Sequence, residues 1–427
     1  MRAQPWAWPV VGHAPAYLAD KLGFLTTCVA EYGEVVRLRI GEPTLLLAGA
    51  ENIQHVLTGN PANYGKTPRL TDERGKRLSG AGMQTAQGAA HLRQRRLLQP
   101  EFQPRAAGRF QELMRGRAER VVDGWTDGLE VNLAWEMERL ALGILIGAVF
   151  GAHYRDEGER LLRAITARRA YLEYYYSWLA PRPEYWPVPV VLRYRRARTV
   201  IETAIEQAMA AGEGGGGFAA AYAGLRYPDG AAMDAPLLHD EILALLSTGY
   251  ETIGDALTWT LYLLAKHPDV EARVLEEIRE GTADALPYAR MVLEESMRLY
   301  PPTWIFVRKA LGPDRLPDGT AVEPGTKIYL CPYVTHRLAK YFPNPERFDP
   351  ERFRPEVRAG RPRFAYFPFG GGQRICIGEN FAMQEGLTVL ATLLPRYRVE
   401  LLESEPIVPR TGITLRPRQL RVRLRRR

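Results

Sequence analysis

The sequence predicts a mainly α fold with small β-sheets, and three observations carry that prediction. Apolar residues recur at helical spacing through 104–211, 237–266 and 286–300. Runs that read as extended, such as 35–40 and 43–48, are short and sit between glycine-containing turns. No stretch of the 427 residues reads as an inter-domain linker, so one unit over residues 1–427 is expected.

Each element follows from local residues. Pro5, Pro9 and Pro15 break up the first residues, which hold no apolar run long enough for a signal core or a membrane span. The helical pattern of 104–211 is interrupted by Pro181, Pro183, Pro187 and Pro189, which predicts two helices joined by a proline-rich aromatic loop. The glycine run 214–217 predicts a surface loop, because it has no side chains to pack. Residues 237–266 read as one long helix ending at His267-Pro268, with a polar island, Ser247-Thr248-Gly249-Tyr250-Glu251-Thr252, inside an apolar run. A helix over 286–300 is ended by Pro301-Pro302, and a proline-punctuated meander covers 341–369. The alternation of basic and apolar residues over 415–424 predicts a terminal strand with one solvated face, which accounts for the basic end without nucleic acid or anionic lipid.

Composition narrows the function classes. With 46% hydrophobic and 25% charged residues the chain has ordinary globular proportions, which argues against extensive disorder. Of the excess of 57 Lys and Arg over 49 Asp and Glu, net +8, part sits in 416–427, where the solvated strand face is preferred over a nucleic-acid or lipid contact. Cys28, Cys331 and Cys376 are far apart, with no disulfide or zinc spacing, so a reducing cytoplasmic compartment is expected.

The decisive stretch is Phe369-Gly370-Gly371-Gly372-Gln373-Arg374-Ile375-Cys376-Ile377-Gly378. Glycines let backbone approach a flat ligand, and the following helix offers N–H groups and a positive dipole end, so Cys376 sits where a thiolate is favoured. The stretch matches the pattern Phe-x-x-Gly-x-Arg-x-Cys-x-Gly at every specified position, which chance produces in about 1 in 10,000 chains of this length. By this motif the chain resembles the soluble bacterial cytochromes P450. The resemblance implies the P450 fold, with haem b (iron protoporphyrin IX) between the long central helix and the cysteine-loop helix. It makes the Cys376 thiolate the ligand to the iron, with Phe369, Arg374 and Gly378 at the haem. It further implies a monooxygenase that inserts one atom of O2 into a substrate, the axial thiolate favouring O–O cleavage. Cys28 and Cys331 lack such a setting and read as inert buried thiols.

Two further signatures support the resemblance. Glu295 and Arg298, three residues apart, share one helix face and can pair, and the family pattern adds Arg352 from the meander as a structural partner. Gly249-Tyr250-Glu251-Thr252 resembles the oxygen-activation motif, departing from it at Thr248, where the family carries a smaller residue. The glycine lets the helix open, and the Thr252 hydroxyl can back-bond or hold a water while Glu251 leads protons inward, which makes these two the catalytic candidates. Thr248, one turn earlier and placed at the haem by the resemblance, narrows the groove and is expected to stand in partly for Thr252.

By family position, His91, Arg95, Arg308 and Arg374 hold the haem propionates, a task suited to the arginine fork. Met83, Leu243, Leu246, Trp304, Ile305, Phe306 and Ile413 line the substrate pocket, with Tyr171, Tyr174, Tyr175, Tyr176 and Trp178 either near its entrance or ordinary core. Such a lining favours a small lipophilic substrate. The runs 299–305 and 332–337 are similar to a bacterial group that includes a β-carotene hydroxylase, which suggests a carotenoid, then a fatty acid or terpenoid. The short connection between Val270 and Leu286 is similar to that of P450s from thermophilic bacteria. No flavin or iron–sulfur motif is present, so an external ferredoxin or flavodoxin with its reductase is expected, docking on a basic face around Arg93, Arg96 and Arg374. A peroxygenase or isomerase on the same fold, or a haem carrier without turnover, are the competing readings, although the acid–threonine pair that a peroxygenase usually lacks is retained.

Overall fold

The computed structural model describes residues 4–151, 158–176, 188–281, 286–402 and 407–427. They fall into two units, one of Met1–Thr71, Trp259–Ile377 and Pro409–Arg416, the other of Asp72–Thr258, Gly378–Val408 and Pro417–Arg427. Short connections and strands among many helices make the fold mainly α, as the periodicity predicts.

In the first unit, successive leucines show how the main sheet forms. Leu46 points into a core with Leu25, Val36, Leu38 and Tyr329, while Leu45 and Leu47 point into another with Ile53, Val56, Ile328 and Phe364. A strand buried on both faces therefore reads as a continuous apolar run. Val35–Ile40 folds back antiparallel onto Glu42–Leu47, which pairs in parallel with Lys327–Leu330. Phe306–Ala310 and then Tyr64–Gly65 complete the five strands. The helix Pro287–Leu299 begins where its amides at Tyr288 and Ala289 donate to the Glu277 carboxylate at 2.7 and 2.8 Å, and ten of its thirteen residues are buried.

In the second unit, Leu133–Phe150 is buried on nearly every side, and Phe102, Phe110, Phe218 and Phe381 pack their rings together within 6 Å of one another in sequence of contact. The segment expected as one helix over 237–266 is two, Ala235–Thr248 and Glu251–Lys266, broken at Gly249-Tyr250, with the residues from Trp259 on belonging to the first unit. The former starts with the Asp234 carboxylate accepting from the Leu237 amide. The terminal strand is Arg421–Arg426, central between Glu130–Asn132 and Tyr397–Leu401. Val422 and Leu424 are buried, and Arg421, Arg423 and Arg425 pair outward with Glu130 and Glu400, so the basic end is a partnered strand face.

The glycine run departs from its expectation. Residues Gly212–Gly215 form a 3-10 turn, and Gly217–Gly224 is a helix whose Phe218, Ala219 and Ala220 are buried. Tertiary packing of the residues that follow imposes a conformation that glycine alone does not favour. The proline-rich loop at 177–187, with Trp178, and part of the Val270–Leu286 connection lie outside the described residues. No described helix is long and apolar enough to cross a membrane.

Candidate functional site

The cysteine loop belongs to the first unit, where Gly370 and Gly371 meet aromatic side chains and Gly372 meets backbone directly. Gly372 has φ +67°, and a Cβ there would overlap the Leu57 carbonyl, so no other residue fits without displacing that segment. The Gly370 amide donates to Phe367 at 2.9 Å, Ile375 to Gly372 at 3.2 Å and Cys376 to Phe369 at 2.9 Å, which fixes the turn before the helix Glu379–Leu393, capped by Gly378. Cys376 is exposed, whereas Cys28 and Cys331 are buried. Burial pushes the latter two thiols up to about 11 and about 12, the direction of unreactive sulfur. Phe369 is half-buried on the same loop.

Three cations gather in this unit. Arg308 is buried on the strand Phe306–Ala310, and Arg374 is half-buried on the loop. Lys66, absent from the sequence-based candidates, faces both. Burial lowers its ammonium to about 7, and the charges of Arg374 and Arg308 press the same way. Burial and then Arg374 lower Arg308 to about 10. Like charges collected at low exposure suit an anionic ligand group. A lone lysine after a two-residue strand carries no sequence signal, so only the fold reveals it.

Glu295 and Arg298 are both fully buried and doubly bonded, Arg298 Nε to Oε2 at 2.6 Å and Nη2 to Oε1 at 2.8 Å. Glu295 also accepts from the Asp349 amide at 2.9 Å, and Arg352 approaches its Oε1 at 3.6 Å. Arg298 spends its other donors on the carbonyls of His336 and Arg347. Three chain segments are thereby tied to one ion pair.

In the second unit, the helix break isolates one hydroxyl. Ser247 bonds back to the Leu243 carbonyl, Thr248 to Ala244 at 2.9 Å and Thr258 to Gly254 at 2.7 Å. Thr252, half-buried, bonds no protein atom among the described residues. Thr248 donates its hydroxyl proton to its own helix, unlike Thr252. Glu251 is buried and lies 3.8 Å from Arg169, which also meets Glu138 at 3.3 Å and Glu173 at 3.8 Å. Burial works against the Arg169 charge, but these acids together outweigh it and hold the guanidinium above its ordinary value. Nothing near Arg168-Arg169 in sequence singles it out.

The remaining candidates are spread over both units. His91 is buried and Arg95 half-buried on the helix Gly88–Leu98. Arg96 is exposed, but Arg93 stacks on Tyr227 at 3.8 Å and pairs with Asp229 at 3.4 Å, so part of its charge is already answered. Met83 is half-buried, and its amide donates to the buried Glu241 carboxylate at 2.7 Å. Leu243 is half-buried and Leu246 buried. In the first unit Ile305 and Phe306 are half-buried and Ile413 is exposed, while Trp304 lies inside the core, its indole donating to the Gly412 carbonyl. Tyr171 stacks on Tyr194 at 4.1 Å with Tyr175 in the same buried cluster, so both are core; the Tyr176 side chain lies outside the described residues.

Comparison with known proteins bears on this arrangement directly. Over 98% of its length the chain is 31% identical to cyclooctatin synthase of Streptomyces melanosporofaciens, covering 94% of that protein. It is 30% identical over 98% of its length to pentalenene oxygenase of Streptomyces avermitilis, covering 96% of it. A retinoic acid-bound cyanobacterial cytochrome, CYP120A1, superposes with a TM-score of 0.87 over 100% of this chain and 99% of its own, at 24% identity. The family model for cytochrome P450 matches residues 3–424, and the chain belongs to that family.

Proposed function

We propose that this P450 monooxygenase hydroxylates a terpenoid-type hydrocarbon, with Cys376 as the ligand to haem iron and Glu251 and Thr252 as its proton-handling pair. The residues fit the cofactor: Cys376 is the one exposed thiol among the described cysteines, and Lys66, Arg308 and Arg374 form a cationic cluster matched to propionates. His91 and Arg95 are further propionate donors by position. Haem b bound through a thiolate supplies activation of O2.

The chain's own residues bind, orient and supply protons. The observation that carries the reading is the uncommitted Thr252 hydroxyl beside a buried acid. The Ser247 and Thr248 hydroxyls return to their own helix, while Thr252 Oγ1 is left to hold a water and orient its proton. Glu251, held as a carboxylate by Arg169, takes up a proton from bulk water when the side chain turns away from the guanidinium and passes it to that water. Met83, Leu243, Leu246, Ile305, Phe306 and Ile413 offer apolar surface to the substrate. The names of the two Streptomyces relatives favour a terpenoid over a fatty acid, and carotenoids are the larger members of the class to try. Reducing equivalents come from a ferredoxin or flavodoxin with its reductase, for a protein working in the cytoplasm.

Spectral titration with a cyclic diterpene hydrocarbon, β-carotene and a long-chain fatty acid, followed by turnover with a ferredoxin system, tests the substrate class. A shift and hydroxylated product with the fatty acid alone would overturn it. Thr252→Ala is expected to keep haem and first reduction but to lower product per reductant by about tenfold, with hydrogen peroxide rising to match. Thr248→Ala is expected to change that ratio little, since its hydroxyl is occupied. Lys66→Leu is expected to speed haem transfer to excess apomyoglobin about tenfold, the scale of one charged hydrogen bond. An unchanged transfer rate would remove Lys66 from the propionate cluster.

A further inference from the structure

Behind the cysteine loop, in the same unit, one carboxylate gathers an unusual set of donors. Asp314 Oδ2 accepts from Tyr64 Oη at 2.7 Å, His55 Nε2 at 2.9 Å and Asn60 Nδ2 at 3.1 Å, and Oδ1 accepts from the Arg315 amide at 2.8 Å. Burial alone would raise this carboxyl, but the donors outweigh it and hold it down at about 2. Three of the donors come from a single stretch, 55–64, which is wrapped around the one acid.

That stretch opens with a π-turn, His55–Gly59. A π-turn is a rare departure from α-helical bonding, met most often at functional sites, and this one follows directly on the helix Ala50–Gln54. Here one side is held by Asp314 through His55, while Leu57 and Thr58 lie against the cysteine loop. The Leu57 carbonyl is the group that a Cβ at Gly372 would strike, the Thr58 methyl lies 3.4 Å from the same point, and the Leu57 side chain lies 3.3 Å from where a Cβ at Gly371 would stand. The cysteine loop therefore rests on the backbone of the π-turn itself, two residues before Arg374 and four before Cys376.

We propose that Asp314 is a positioning residue for the thiolate: by fixing the π-turn from behind, it sets the seat of Gly371 and Gly372 and so the placement of Cys376. The proposal rests on the reading of Cys376 as iron ligand and adds to it a group that touches neither haem nor substrate. Removing the carboxylate frees four donors at once, three of them from 55–64 and including the hydroxyl of the buried Tyr64, and the seat loosens before the sheet does.

The test uses holoenzyme carrying Asp314→Ala, Asp314→Asn or His55→Ala, with Glu42→Ala as control, since Glu42 pairs with Lys309 and Lys327 on the same sheet without a described contact to the loop. Two readouts are taken: hydrogen exchange of the 370–376 amides, and the rate at which the reduced carbon monoxide complex loses its thiolate-specific band in mild urea. Asp314→Ala is expected to lose amide protection at 370–376 and to lose the band about tenfold faster than Glu42→Ala at matched melting temperature, the scale of one charged hydrogen bond. Asp314→Asn, which keeps an accepting oxygen, is expected to fall between. If Asp314→Ala loads no haem, Asp314→Asn and His55→Ala give the same reading. Exchange and band loss equal to those of Glu42→Ala would overturn the proposal. A wild-type protein without the band would instead overturn the ligand assignment, and the amide exchange would still decide whether Asp314 seats the loop.

Discussion

Cys376→Ser is expected to yield a folded protein whose reduced carbon monoxide complex lacks the thiolate-specific band and whose product formation falls to background. An alcohol oxygen donates far less charge to iron than a thiolate, so the push that favours O–O cleavage is lost while the cavity remains. The substitution is nearly isosteric, and the backbone bonds that shape the loop, from Gly370, Ile375 and Cys376, do not involve sulfur. Circular dichroism and melting temperature should therefore stay close to wild type, which separates loss of ligand from loss of fold. A retained band would show that another residue holds the iron.

Glu295→Ala and Arg298→Ala are expected to destabilise the protein by about 3 to 5 kcal/mol each, because removing one partner of a buried pair leaves the other charge uncompensated. Against a typical stability of about 5 to 15 kcal/mol, that loss is enough to deplete holoprotein at growth temperature. Arg298 is the worse position to lose, since the carbonyls of His336 and Arg347 would be stranded together with Glu295. Urea midpoints and the ratio of haem to protein absorbance measure the effect. Glu295→Gln should recover part of the yield, because an amide oxygen still accepts from the Asp349 amide. Full holoprotein yield from both alanine variants would mean that the pair carries no such load.

What the sequence made legible follows from how local each signal is. The cysteine loop is a contiguous run in which backbone geometry dictates residue type, and Gly372 against Leu57 shows the constraint at work. The Glu295–Arg298 pair lies within one helical turn, so spacing alone predicts that the two meet. The strand pairs around 35–47 follow from runs of β-branched residues and leucine bounded by a glycine turn. By contrast Lys66, Arg169, Glu241 and Asp314 draw their meaning from partners tens to hundreds of residues away, as when Asp314 meets Tyr64 across 250 positions. Nothing in an ordinary Lys, Arg, Glu or Asp announces such a partner. The glycine run departs from its expected loop for a related reason: the buried Phe218 that follows it decides its shape. Thr248 shows a third limit, because a motif position says which residue is present and not which acceptor its hydroxyl has chosen.

The interleaving of the two units has a consequence for how the protein is made. Each unit draws on early and late chain: the strand Glu130–Asn132 waits for Arg421–Arg426, with Arg421 reaching Glu130 across 291 positions, and Glu42–Leu47 waits for Lys327–Leu330. Neither unit is able to close while the ribosome is still translating the first two-thirds of the message. Until then, helices such as Leu133–Phe150 hold apolar faces open to water, at a stage when collapsed intermediates are prone to associate. Yield in a recombinant host should therefore respond to slower synthesis, lower temperature and co-expressed chaperones more than to any change on the finished surface.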